Sequence, residues 1–333
     1  MTIWQIAAGS HQREYSDEFF SRGMAFLGGA SQTKRLSRVR PGDLLVLKQG
    51  LNEVVAIGRV VERDGRHYGC GDKHWLRDFD GWDLQAYVYV EWRLPKQALP
   101  DLGLSRGAIA RIKGAGADMM VRAAFEQGES VQITTPEPGP TRPVDDDAIP
   151  AALSARGMSA GQAQGLSEAF ARIRELARYY REECNSNDVR EYEARTFLVV
   201  PLLLALGWTE RQIKIELGAG RGRIDIACFG RPYTRLGRKT NDQDCELIIE
   251  TKGLRQGLSL APAQVRGYAE FYPSTRAIVV TNGYCYKVYV KQEGEFPALP
   301  TSYLNLLDPR DRYPLEPVHT AGCVEVLTEL LPS

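Results

Sequence analysis

No apolar run in the sequence approaches the roughly 18 residues that a membrane span needs. The longest candidate, residues 197–206, is about half that and carries Pro201. The opening MTIWQIAAGS has neither a cationic start nor an apolar core segment, so no secretory signal is expected. CxxC pairs are missing as well. Cys70, Cys184, Cys228, Cys245, Cys285 and Cys323 lie far apart, mostly inside apolar strand-like segments, as reduced core residues of a reducing compartment do. His67, Cys70 and His74 are three possible zinc ligands, but no fourth stands at a usual spacing. Net charge is absent too, with 42 Lys+Arg against 42 Asp+Glu. That balance argues against indiscriminate polyanion binding and leaves room for local basic patches. There is no internal repeat. The expectation is a cytoplasmic protein without a membrane partner.

What is present is an ordinary globular composition, 43% hydrophobic and 25% charged, in 333 residues, a length that suits about two domains. The boundary is the segment TTPEPGPTRPVDDDAIP, residues 134–150, whose five prolines and three consecutive aspartates oppose both a helix and a central strand. It reads as a linker between a first domain, 1–133, and a helical connector, 151–184, that leads into a second domain, 185–333. In the first domain strand patterns recur at 3–8, 44–49, 54–61 and 87–93, with helical pieces at 16–22 and near 105–113 and a tight turn at Arg40-Pro41-Gly42-Asp43. In the second, a helix over 159–183 precedes another that runs to Gly207 with Asp188 or a neighbouring Asn as N-cap. Strands follow at 223–229, 246–251, 277–281 and 287–290, with a helix at 262–271. The expected fold class is α/β: a β-barrel with short helices, then a sandwich around a mixed sheet.

Two acids interrupt apolar strands of the second domain, Asp225 in GRGRIDIACFG and Glu250 in LIIETKG. A buried carboxylate loses its hydration and calls for a cation. If these strands pair, the two oxygens sets meet at one sheet end, an environment suited to Mg²⁺. Lys252 shares a strand face with Glu250. It could position or deprotonate a water, or stabilise transition-state charge. Arg221 and Arg223 are possible ion-pair partners of Asp225.

The order Asp, then Glu-x-Lys, resembles the PD-(D/E)XK nucleases. EYEARTFLVVPLLLALGW (191–208), the Gln264 and Tyr268 of QVRGYAE, and VVTNGYCYKVY (279–289) are similar to the nuclease domain at the N-terminus of type I restriction enzyme R subunits. The resemblance covers about residues 185–295. It implies a PD-(D/E)XK α/β/α sandwich in which Asp225 and Glu250 bind Mg²⁺ (or Mn²⁺), Lys252 assists the water, and Gln264 lies near the metal and the scissile phosphate. Glu191 and Glu193 both precede Arg195 and spacing leaves the choice open; Glu191 is the position the family usually uses to complete the metal site. Tyr268 would support its helix or touch the DNA backbone. The insertion after the first acidic strand carries Arg231, Arg235, Arg238 and Lys239, an excess that suits phosphates.

The first domain has many aromatics in polar surroundings: Trp4, Tyr15, Phe26, Tyr68, Trp75, Phe79, Trp82 and Trp92. Trp4 and Trp92 sit in strands as core residues do. Trp75 and Trp82, in DKHWLRDFDGWD, together with Phe26 and Tyr15, could sandwich an extruded base while Asp80 or Asp83 accepts from its amino edge. Lys34, Arg35, Arg38 and Arg40 could hold phosphates nearby. IWQIAAGS, VRPGDLLVLKQG, VVAIGRVV and YVEWRLP resemble PUA-like domains of the EVE type, which implies a reader of modified bases. The combined expectation is a modification-dependent, type IV-like endonuclease acting on double-stranded DNA with modified bases, most plausibly 5-substituted cytosine, as a homodimer or DNA-induced dimer. Alternatives are an RNA-directed nuclease and a non-catalytic nucleic-acid-binding protein.

Overall fold

The structure, a computed structural model, describes every residue except 11–12, 51–52, 100–101, 115, 185–188, 221, 237–238, 241–243, 255, 259–261 and 316–319, and gives the backbone alone for 10, 13, 235–236, 239–240 and 262–264. The chain forms two compact units, Met1–Pro138 and Gly139–Ser333. Among the described residues no helix is long and apolar enough to cross a membrane.

The first unit is a curled half-barrel. Its strands are β1 (Ile3–Ala7), β2 (Met24–Leu27), β3 (Leu44–Gln49), β4 (Glu53–Val60), β5 (Tyr68–Cys70), β6 (Ala86–Leu94), β7 (Ile109–Arg111) and β8 (Glu129–Ser130). They are ordered β8-β6-β4-β3-β1-β7, with β2 and β5 also paired to β6. The β1–β3 pair is parallel and the others are antiparallel. β6 was expected to be half-buried from its alternation. It is buried on both faces over most of its length, and four strands pair along it. The Pro41-Gly42 turn closes as expected: Asp43 N donates to Arg40 O, Gly42 has φ +83°, and the Asp43 carboxylate accepts from Thr2 N, Trp4 Nε1 and Arg40 N.

Four helices complete this unit: α1 (Ser16–Arg22), α2 (Ala30–Leu36), α3 (His74–Arg77) and α4 (Ala117–Gln127). Ala117, Val121 and Phe125 recur at four-residue spacing on α4 and bury against Ile3, Leu44, Val46 and Ile57. The helix expected near 105–113 is a correction. That stretch holds β7, and the helix lies later.

The second unit opens with α5 (Ala148–Ser154) and α6 (Ala160–Glu182). Ser159 caps α6 in a reciprocal capping box with Gln162. Its buried stripe is Ala163, Leu166, Phe170, Ile173 and Ala177. α7 (Glu191–Ala194) continues through a π-helical turn, Arg195–Val199, into α8 (Val200–Ala205). Pro201 has no N–H to give Phe197 O, which favours this local widening. The N-cap of α7 is Arg190 rather than an Asn or Asp. Residues 185–188, where that cap was expected, lie outside the described residues.

A mixed sheet follows: β9 (Ile213–Ala219), β10 (Gly222–Phe229), β11 (Cys245–Thr251), β12 (Ala277–Thr281), β13 (Cys285–Val290) and β14 (Ser302–Asn305), in sequence order. Only β11–β12 is parallel, and α9 (Pro262–Ala269) makes that crossover. α10 (Cys323–Glu329) closes the chain. The central β11 is a nearly continuous buried run, so an acid at its end meets little water.

Candidate active site

β10 and β11 pair antiparallel up to Ile226 opposite Ile249, one residue short of Asp225 and Glu250. Beyond that pair the Asp225 carboxylate takes the place of a ladder bond. Its Oδ2 accepts from Thr251 N at 2.7 Å and lies 2.7 Å from Thr251 Oγ1. The π-helical turn aims Arg195 at the same point, and Arg195 Nη1 donates to Asp225 Oδ1 at 3.1 Å and also to Glu216. Lys252 Nζ donates to Glu250 Oε1 at 2.6 Å. Glu191, at the start of α7, reaches within 3.4 Å of Thr251 Oγ1. One helix and two strands therefore deliver Glu191, Asp225, Glu250 and, just past the second strand, Lys252 to one end of the sheet.

The electrostatics of this cluster are those of an anion-rich, poorly hydrated site. Asp225 and Glu250 are only 9% and 4% exposed. Burial lifts the Glu250 carboxyl to about 7, with the charges of Asp225 and Glu191 adding to the rise and Lys252 opposing it. Burial also raises Glu191, helped by the charge of Asp225. Among the described residues no three His, Cys, Asp or Glu side chains form a ready-made metal cage. Mg²⁺ needs only one or two protein carboxylates and takes its other ligands from water and phosphate. The donor set fits such an ion: hard oxygens, two of them on carboxyls whose ionisation is held back chiefly by burial.

Glu193 is turned away from this point. Its Oε2 accepts from Arg190 N at 2.7 Å and caps α7. The side chain of Gln264 lies outside the described residues; its backbone is in α9. Tyr268, one turn further along α9, lies against Gly222, where a Cβ would sit 2.6 Å from its Oη. Sequence reasoning missed Glu216 and Thr251. Glu216 is hidden in a polar edge strand and adopts φ +56°, a left-handed backbone rare for its type. The partner of Asp225 is Arg195, not Arg223, while Arg221 lies outside the described residues.

The other expected contact residues are dispersed. Arg231 is exposed and pairs with Asp244 at 3.0 Å. Arg235 and Lys239 lie in a two-strand ribbon whose backbone alone is described, and Arg238 lies outside the described residues. In the first unit Lys34, Arg35, Arg38 and Arg40 are exposed, and Arg35 donates to Ile109 O at 3.1 Å.

The aromatic pocket requires correction. Trp75 is 1% exposed and Phe26 fully buried, in edge-to-face contact at 5.7 Å; Tyr15 stacks on Phe26 at 5.7 Å, and Phe79 packs on both Tyr15 and Phe26. The Arg22 guanidinium lies 4.7 Å over Trp75. These ring faces already have partners, so Trp75, Phe26 and Tyr15 form a satellite core rather than an open base sandwich. Asp80 is buried too, in a tight Asp80-Gly81 turn with both φ positive, at +50° and +80°. The turn is closed by paired bonds between Phe79 and Trp82, which leaves Trp82 and Asp83 half-buried. Comparison with protein-family models finds no match, and comparison with curated proteins finds none either.

Proposed function

We propose that this protein is a Mg²⁺-dependent endonuclease directed to double-stranded DNA with modified bases. The observation that carries the reading is that Asp225 and Glu250 lie buried at the end of β10 and β11 beside Lys252, with Glu191 near Thr251 and Glu250 lifted to about 7 by burial. Buried acids in such a cluster are costly to the fold, and that cost makes sense where a divalent cation neutralises them and has coordination positions left for a phosphodiester oxygen.

In this reading Asp225, Glu250 and Glu191 hold the ion, with Mn²⁺ an alternative to Mg²⁺. Bound there, it supplies Lewis acidity toward a phosphodiester oxygen and lowers the pKa of water. Thr251 fixes the Asp225 carboxylate through its amide and hydroxyl. Lys252 orients Glu250 and places an ammonium where charge develops during hydrolysis. Arg195 balances Asp225 from below. Glu193 serves α7, not the ion. The PD-(D/E)XK resemblance adds Gln264 to this set and gives the reaction class. The PUA-like resemblance assigns target choice to the first unit, with 5-substituted cytosine as the proposed mark. Trp82 and Asp83 are the remaining half-buried candidates to face a base. One such site cuts one strand, so a double-strand break needs a homodimer or a dimer formed on DNA.

The test is incubation of the full chain with modified duplex DNA, the same unmodified duplex and structured RNA, each with Mg²⁺ or EDTA. Cleavage of modified duplex that needs Mg²⁺ and is lost in Asp225→Asn is the expected result. Cleavage of RNA alone would favour an RNA-directed nuclease, and binding without cleavage a non-catalytic protein. Equal cleavage of both duplexes would remove the reader.

A further inference from the structure

The hairpin of β9 and β10 carries a cation that the proposed chemistry does not use. Described residues on either side of its tip lie against α9 and the turn after it. The Phe271 ring lies over Gly220, where a Cβ would come 2.6 Å from Cζ, and the Tyr268 ring lies over Gly222. Tyr272 Oη donates to Gly218 O at 3.3 Å. Three aromatic residues of α9 and the turn after it thus bear on Gly218, Gly220 and Gly222 of the hairpin. Just inside this seat, Arg223 precedes Asp225 by two positions on β10, so both side chains leave the same strand face, with Cα atoms about 6.6 Å apart at a rise of about 3.3 Å per residue.

The Arg223 side chain is 72% exposed. Its nearest carboxylate among the described residues is Glu216 Oε2, 4.0 Å away and beyond hydrogen-bond reach. Glu216 already accepts from the buried Arg195. A guanidinium with its fork in solvent, on a paired strand, one nucleotide step from the acids, matches the oxygen pair of a phosphodiester.

Resting on the nuclease reading above, we propose that Arg223 is a positioning residue that grips the DNA phosphate next to the scissile one. It fixes the register of the cleaved strand against Asp225 and Glu250.

The experiment uses the full chain, with Arg223→Ala, Arg223→Lys and, as a matched loss of charge on α6, Arg172→Ala. Binding of a duplex carrying 5-hydroxymethylcytosine is measured in Ca²⁺ over a salt series, alongside a duplex RNA. Arg223→Ala is expected to flatten the slope of log affinity against log salt by about 1, with an unchanged melting temperature, whereas Arg172→Ala keeps the slope. In Mg²⁺, one neutral methylphosphonate next to the cut should slow the wild type about tenfold and add nothing in Arg223→Ala. Arg223→Lys should keep the charge and the slope but lose part of the cleavage rate. An unchanged slope in Arg223→Ala, a methylphosphonate effect that persists in it, or a slope change on RNA alone would overturn the proposal. A slope change with no cleavage by the wild type would keep the phosphate contact and overturn the nuclease reading beneath it.

Discussion

Glu250 holds a proton that an unfolded chain would release. Its carboxyl sits at about 7 in the folded protein against 4.5 for the free side chain, chiefly because it is buried. Between those two values the folded state binds more protons than the unfolded one. Its contribution to stability is therefore intact below about 4.5, lost as pH rises toward 7, and constant above. Glu250→Gln keeps the shape and removes the charge. Its melting temperature in EDTA should exceed the wild type's by roughly 2–4 °C at pH 8, about 1 kcal/mol in a unit of this size, with little gain at pH 4.5. Cleavage should fall by about a hundredfold or more. Calorimetry at the two pH values checks the first part, and an equal gain at both would mean that Glu250 is not held protonated. Asp225, Glu250 and Lys252 were legible because charge inside an apolar strand is conspicuous. Glu216 and Thr251 were not, since a polar edge strand looks like a loop and a threonine at a strand end looks like any other. Spacing could not choose between Glu191 and Glu193; in the structure Glu193 caps Arg190 N while Glu191 approaches Thr251.

The elements most readable in sequence were those with one strong period. β3, β12 and α1 occupy the expected residues, and α6 follows its stripe to within a residue or two. β9 escaped because Lys214 and Glu216 break its pattern at the sheet edge, where one side meets water. α4 escaped because glycines precede it, and β7 because three residues are too few to show a period. The aromatic residues were misread since polar neighbours on the same short loop say nothing of what packs from β2 and β6. At this scale the seat of the β9–β10 hairpin is open to a direct test. A methyl group at Gly222 must push the Tyr268 ring aside. Gly222→Ala should cost about 1–3 kcal/mol, as overpacking does. In Gly222→Ala with Tyr268→Ala the two losses should fall short of their sum by about 0.5 kcal/mol or more. Denaturant melts of the four proteins measure this, and simple additivity would mean that the ring does not bear on the glycine.

For the whole molecule, the proline-rich segment behaves as two straps instead of one free tether. Thr134 N and Thr135 N donate to Ser21 O, Arg22 donates to Pro136 O at 2.8 Å, and Lys73 pairs with Glu137, all within the first unit. From Pro140 on the chain belongs to the second unit: Arg312 donates to Pro140 O, Arg142 N to Asp311 Oδ1, and Val144 N to Pro309 O. Composition alone marks this stretch as neither helix nor central strand, which holds up to Asp147 but not for Ala148–Pro150, the first turn of α5, where a proline is tolerated; nor can it reveal which surface receives its carbonyls. A cut after Pro138 should therefore leave two fragments that each unfold cooperatively. A cut after residue 133 strips the first fragment of one strap, and the loss of these bonds and of the Lys73 pair should lower its stability by about 1–3 kcal/mol. Under the proposed function the fragment Gly139–Ser333 keeps every catalytic side chain, so it should cleave DNA in Mg²⁺ without regard to base modification. Cleavage by that fragment that still required the mark would place recognition inside the second unit, and the first would need another role.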